Sequence, residues 1–313
     1  MKFVKTLLTI GIAATTVVAL SGCSGAAPST DAAGDDDAQL SVTVVTPYLA
    51  NAATKEVIEL FTADGEKRGW QVSVVDTAGD MNKLNSAFQD AAAQQPDAIV
   101  LGTGDPTQIS LGLKSAADAG IPVFAIDAGE ADGITANVTS DNTDLGEQSA
   151  NALIEAMDGS GKVVMLTHDP HPGVKARAAG ARAVFEKAGI EIIEEKHVNV
   201  PGPVDDARTS VQDIMSARSK DVTGIWGGWD EPALGATQAL EAAKIDGVPV
   251  VGVDGQDFAI AEIEKGGPFV ATIKQDWPAI AMKVADLIQS TVVDGEQPEE
   301  KQFELPGTLV TKK

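Results

Sequence analysis

Gly224-Ile-Trp-Gly-Gly-Trp-Asp-Glu-Pro-Ala-Leu-Gly-Ala236 is the stretch that decides the fold. A short apolar run ends in two glycines. A tryptophan and an acid follow, and Pro232 opens an alanine-rich run that lasts to Lys244, before Asp246-Gly247. Proline is tolerated in a first helical turn, where its missing N–H has no partner to lose, and an Asp just before it is typed for an N-cap. The stretch predicts a strand, a glycine corner and a helix, with Asp230 as the helix cap and Trp226 in the core.

Outward from this unit, the pattern repeats. Strand-like and helix-like segments alternate from Leu40 to Val293, with Ser41–Thr46, Gln71–Val75, Ala98–Leu101 and Pro122–Ile126 as early strands. A second series restarts near Ser140, with strands at Lys162–Leu166, Glu191–Asn199, Val222–Trp226, Pro249–Val253 and Val270–Ile273 and a last helix over Trp277–Val293. Ala98-Ile-Val-Leu101 and Pro249-Val-Val-Gly-Val253 are uniformly apolar, as parallel strands covered on both faces must be. Repeated βα units give an α/β fold of two doubly wound parallel-sheet lobes.

The chain has 313 residues, with 46 acidic against 23 basic side chains and a formal charge of −23. That balance excludes nucleic acid and anionic membrane surfaces as partners, since both require basic patches. Lys2 and Lys5 precede an apolar run, Leu7 to Leu20, that is short for a membrane span and suits a signal peptide over residues 1–22. Leu20-Ser-Gly-Cys23 resembles a bacterial lipobox and makes Cys23, the single cysteine, the expected lipidation site. Removing Met1–Gly22 takes out two lysines and no acid, moving the charge from −23 to −25. One cysteine excludes an internal disulfide. Residues 23–39 form an Ala/Gly/Ser/Asp-rich tether. The expected location is extracytoplasmic, with the membrane reached through the lipid anchor only.

In doubly wound sheets, chemistry collects beyond the carboxyl ends of the strands. Those ends carry Asn51, Asp105, Asp127, His168-Asp-Pro-His171, Trp229-Asp230, Asp254 and Gln275. Such a set suits a neutral polyhydroxylated ligand, because carboxylates accept from hydroxyls and indole faces cover C–H surfaces. Each residue has a plainer use. Asp127 and Asp254 can end strands and cap helices, Arg177 can cover apolar surface with its stem, and Trp229 can be core. His168, Asp169 and His171 do not have a usual zinc spacing, and no thiolate is at hand, so no metal is expected. No Gly-x-Ser-x-Gly elbow appears. Gly102-Thr-Gly-Asp-Pro-Thr107 lacks the third glycine of a dinucleotide fingerprint. No cofactor and no enzymatic activity are expected.

Five ordered motifs then make a resemblance. Ile121-Pro-Val-Phe-Ala-Ile-Asp127, Arg177-Ala-Ala-Gly180, Trp229-Asp-Glu-Pro-Ala-Leu-Gly235, Val250-Val-Gly-Val-Asp-Gly255 and Ala271-Thr-Ile-Lys-Gln275 follow one another as in ribose/galactose-type (type I) periplasmic sugar-binding proteins, the receptors of ABC importers. Val138-Thr-Ser-Asp-Asn142 is similar to their first interlobe crossover. The resemblance implies a three-strand hinge near Ser140, Gln275–Asp276 and Glu304–Pro306. It divides the chain into one lobe over 40–140 plus 276–304 and another over 141–275 plus 305–313. It implies ligand contacts at Asn51, Asp127, Arg177, Trp229, Asp254 and Gln275, with His168 at the rim. A monosaccharide or polyol is the implied ligand, importer permease subunits are the implied partners, and the implied state is a monomer. A sugar-sensing module, or an exported enzyme using His168 and His171, are the alternatives. The sequence departs from ribose-binding members at Asn51-Ala-Ala-Thr54, where they carry paired phenylalanines, at Ala128 in place of Arg, and at Trp229 in place of Asn. These departures predict a pocket short of stacking groups on its N-terminal side.

Overall fold

A computed structural model describes residues 39–313. The signal-peptide and lipidation expectations, Cys23 included, fall outside that range. The first sheet is built from β1 (Ser41–Thr46), β2 (Gln71–Asp76), β3 (Ala98–Gly102), β4 (Val123–Ile126), β5 (Ala136–Ser140) and β11 (Gln302–Leu305), in the order β11-β5-β4-β3-β1-β2. The second holds β6 (Lys162–Thr167), β7 (Glu191–His197), β8 (Gly224–Gly227), β9 (Val250–Asp254), β10 (Phe269–Lys274) and β12 (Thr308–Thr311), in the order β12-β10-β9-β8-β6-β7. All pairings are parallel except β12 against β10. Five strands of each sheet therefore wind alike, and both orders reverse after the first strand of the series. The two C-terminal strands are additions to the sequence expectation, each closing one edge.

The nine α-helices described are α1 (Ala52–Lys67), α2 (Met81–Ala93), α3 (Ser110–Asp118), α4 (Asn142–Ala156), α5 (Pro172–Ala188), α6 (Pro203–Arg218), α7 (Asp230–Ala243), α8 (Asp257–Lys265) and α9 (Trp277–Ile288). Alternate side chains of β3 serve opposite faces. Ala98 and Val100 pack with Phe61 of α1 and Ile280 of α9, whereas Ile99 and Leu101 pack with Phe88 of α2 and Leu113 of α3. That double burial is why the strand is apolar at every position. In the second lobe, Trp226 packs with α4 and α5, and Ile225 with α6 and α7. The exposed edge strands differ by contrast, β7 carrying Glu194, Glu195 and Lys196, and β2 mixing Gln71, Ser73 and Asp76 with exposed Val74 and Val75. Caps set several helix starts. Asn51 accepts from Thr54 N at 3.0 Å, Asp141 from Asp144 N at 3.0 Å and Asp276 from Ala279 N at 3.0 Å. The last helix is shorter than the expected Trp277–Val293. Its α-helical part stops at Ile288, and the β-branched run Thr291-Val-Val293 lies in a π-helical turn, Gln289–Val293.

Candidate functional site

The carboxyl ends of the two sheets meet around one cavity, and Arg177 sits at its base. Its position depends on how closely α4 and α5 approach. A Cβ on Gly146 would fall 2.0 Å from the Arg177 carbonyl oxygen, and one on Gly180 would fall 2.3 Å from that of Thr143. Only hydrogen at both positions allows this contact. The guanidinium is 2 % exposed. Nε donates to Asn142 Oδ1 at 2.7 Å, and Nη1 donates to Gly228 O and to Asp254 Oδ1, both at 3.1 Å. Nη2 lies 3.9 Å from Asp127 Oδ2.

The two carboxylates are held on backbone that favours glycine, with φ of 45° at Asp127 and 130° at Asp254. Such conformations cost free energy and persist only where the surrounding frame fixes them. Asp127 Oδ1 accepts from Thr139 Oγ1 at 2.7 Å, and Asp254 Oδ1 accepts from Gln275 Nε2 at 2.8 Å. Burial pushes the Asp254 carboxyl up to about 7, against the pull of Arg177 and Gln275. Among the described residues, Asp127 Oδ2, Asp254 Oδ2 and Arg177 Nη2 make no hydrogen bond within the protein. They are the uncommitted polar atoms of the site.

Aromatic rings wall the cavity on both sides. Tyr48, His168, Trp229 and Trp277 all line it. The expected shortage of stacking groups on the N-terminal side is therefore incorrect. Tyr48, just past β1, and Trp277, at the start of α9, supply them where the phenylalanines are missing. His168 Nδ1 lies 2.9 Å from the Val198 carbonyl oxygen, which can only accept, so this nitrogen carries the proton. Nε2 is then an acceptor for the Tyr48 hydroxyl at 3.3 Å. Burial lowers the His168 pKa, keeping this tautomer neutral, and raises that of Tyr48. His171 caps α5 by accepting from Val174 N at 3.2 Å through Nδ1, which places its proton on Nε2, 3.7 Å from Asp127 Oδ2. Burial brings the His171 pKa down to about 4 despite that carboxylate.

The residues expected from sequence divide into three groups here. Asp127, Arg177 and Asp254 converge with free atoms. Gln275 is fully buried behind Asp254, and its Oε1 has no partner. Asn51, His168 and Trp229 line the cavity, but their polar atoms are engaged elsewhere. Asn51 caps α1 and donates to Glu231 Oε2 at 2.5 Å, and the Trp229 indole N–H donates to the same oxygen at 3.2 Å. Trp229 is at once wall and core, 4 % exposed and packed with Val174 and Ala233. Among the described residues, no group of three or more His, Cys, Asp or Glu could hold a metal ion. Strand-end reasoning passed over Tyr48, which carried that signal two residues after β1. Trp277, three residues after β10, carried it too.

Asp230 does not cap α7. Trp229 is the N-cap residue, in extended backbone, and Asp230 is the first helical residue, fully buried. Its carboxylate accepts from Gln256 N at 2.9 Å and from Thr272 Oγ1 at 2.7 Å, tying α7 to the β9–α8 loop and to β10. Burial and the nearby Asp254 raise its pKa well above the ordinary range. Removing that buried charge while keeping an acceptor makes Asp230→Asn cost no more than about 1 kcal/mol. Asp230→Ala, which orphans both donors, should cost about 1–3 kcal/mol. Urea titration of the two variants checks the order, and an Asn variant no better than the Ala variant would contradict it.

The chain matches the model of the periplasmic binding protein domain over residues 42–297. It is 28% identical to the ribose import binding protein of Bacillus subtilis (strain 168), over 100% of this chain and 99% of the relative. It is 25% identical to a xylitol-binding protein of Mycolicibacterium smegmatis, over 91% of this chain and 80% of the relative. A solved ABC transporter solute-binding protein from Agrobacterium vitis with bound allitol superposes with a TM-score of 0.82 at 28% identity, covering 88% of this chain and 96% of its own. By motif order, strand order and the span of the match, the chain belongs to the periplasmic binding protein domain family.

Proposed function

We propose that the protein is an extracytoplasmic receptor that captures a monosaccharide or polyol between its lobes and delivers it to an ABC importer. The observation that carries this is the convergence of Asp127 Oδ2, Asp254 Oδ2 and Arg177 Nη2 beneath aromatic walls contributed by both lobes. Two carboxylate oxygens accept hydroxyl protons, a guanidinium N–H donates to a hydroxyl or ring oxygen, and indole faces cover C–H surface. Arg177 already faces two carboxylates, Asp254 and Asp127, so a sugar acid would add a third. The relatives support a neutral ligand, being import or binding proteins for ribose and xylitol, and the allitol complex has the same fold. They are binding proteins rather than enzymes.

Within this reading, the lobes span 40–140 plus 276–304 and 141–275 plus 305–313, and rotation about the three crossovers traps the ligand. Importer subunits select the closed form, so ligand acts by shifting a population. A signal peptide is removed before Cys23, the lipidated cysteine tethers a monomeric receptor, and residues 23–39 act as spacer. No helix among the described residues is long and apolar enough to cross a membrane. A thermal-shift screen over D-ribose, xylitol, allitol and the matching sugar acids tests the ligand class. A ligand at 100 times its Kd should add about 2.7 kcal/mol of stability. Stabilisation by the acids and by no neutral compound would overturn the assignment.

A further inference from the structure

Glu231 lies one residue beyond Asp230 in the first turn of α7, and strand-end reasoning does not point to it. Its carboxylate takes donors from both lobes. Asn51 Nδ2 reaches Oε2 at 2.5 Å and Ala52 N reaches Oε1 at 3.3 Å from the start of α1, while Trp229 Nε1 reaches Oε2 at 3.2 Å from the start of α7. No Lys or Arg pairs with it among the described residues. What compensates the charge is two helix N-termini facing each other across the cleft, whose free N–H groups and dipoles favour an anion. That compensation is complete only while the lobes are together. Away from the first crossover, where Asn142 Nδ2 reaches Asp127, Thr139 and Ser140, Tyr48 bonds His168 at 3.3 Å and Gln256 Nε2 bonds Glu56 Oε2 at 2.8 Å, each a single pair.

We propose that Glu231 is the closure latch of this receptor and the positioning residue for the Trp229 ring. One oxygen, Oε2, holds both the indole of the second lobe and the amide of the first, so the ring is fixed in its wall position as the lobes close. The inference builds on the two-lobe capture reading, but its geometry is a contact between α1 and α7 that can be tested without a ligand. Glu231→Gln keeps the shape and one acceptor oxygen but loses the charge, and whichever way its amide turns an NH2 faces an N–H donor, either Ala52 N or the Asn51 amide and Trp229 indole together. Asn51→Ser keeps an oxygen to cap α1 and removes the amide donor.

Hydrogen-exchange mass spectrometry of the full chain should read the latch directly, with no addition and with D-ribose, xylitol or allitol. In Glu231→Gln the segment 49–57 should exchange about tenfold faster than in the parent, a change that corresponds to about 1.4 kcal/mol. Segments of α4 and α5 should not change. Asn51→Ser should give a similar increase, and the double variant should add little to either single one, as coupled partners do. A residue structural only within its own lobe would alter segments of α7 and leave 49–57 as it was. That result, or full additivity of the two substitutions, overturns the latch. Failure of all three polyols to stabilise the parent would count against the ligand class and leave the α1–α7 measurement intact.

Discussion

Arg177→Ala should destabilise the chain by about 3–5 kcal/mol and abolish ligand binding in the screen above. The size follows from what the guanidinium leaves behind. Asp254 and Asp127 would stay buried without their cation, and Asn142 Oδ1 and Gly228 O would lose their donor. Removing one partner of a buried pair costs that much because the other charge is stranded. Arg177→Lys should rescue little, since one ammonium cannot reach the acceptors that a planar fork meets at two separate nitrogens. The deficit should also depend on pH. Folding raises the Asp254 pKa, to about 7 in the parent, so its protonated form is the one the fold favours. Stability linked to a raised carboxyl is present below its unfolded value and is lost as pH rises through the folded one. Without Arg177 the Asp254 pKa rises further. His171, now near 4, is also released from a cation that pushes it down. Both changes shrink the deficit at low pH. Chemical denaturation at pH 5 and pH 8 should show the larger loss at pH 8, and a pH-independent loss would mean that stranded charge is not its cause.

Gly146→Val should cost about 3 kcal/mol or more, with a weaker pH dependence of the same sign. Its Cβ would meet the Arg177 backbone itself, 2.0 Å from the oxygen and 2.7 Å from the carbonyl carbon. No rotamer relieves a clash with main chain, so α4 and α5 must separate, and overpacking of this kind reaches the top of its usual range. Separation carries Arg177 away from Asp254. Ligand affinity should therefore fall along with stability, although residue 146 touches no cavity. Denaturation at two pH values and calorimetry with a stabilising sugar check both parts.

Much of this molecule is legible in its sequence where local chemistry and tertiary placement agree. Ala98-Ile-Val-Leu101 is apolar at each position because it is a central strand, and Asp127 and Asp254 follow strands whose ends open on the cleft. Legibility fails where the partner is distant. Asp230 has the local setting of a cap, yet its carboxylate turns inward to residues 26 and 42 positions away. Trp277 follows β10 by three residues but reads locally as a helix start, and its ring lines the cavity because the crossover there returns the chain to the first sheet. Asn51 was found for its place after β1, but its bonds, shared with Thr54 and Glu231, are set by a helix start and by the other lobe.

That same return has a consequence for synthesis. The face of the first sheet packed with Val57 and Phe61 of α1 is completed by Ile280, Val284 and Ile288 of α9, and its edge is closed by β11 against β5. A nascent chain that has made all of β1 to β5 still lacks one side of its first core. At ordinary translation rates the missing helix follows on the order of ten seconds later. Premature fragments ending before Trp277 carry that bare apolar face with them, and both lobes become finished objects only within the last few dozen residues.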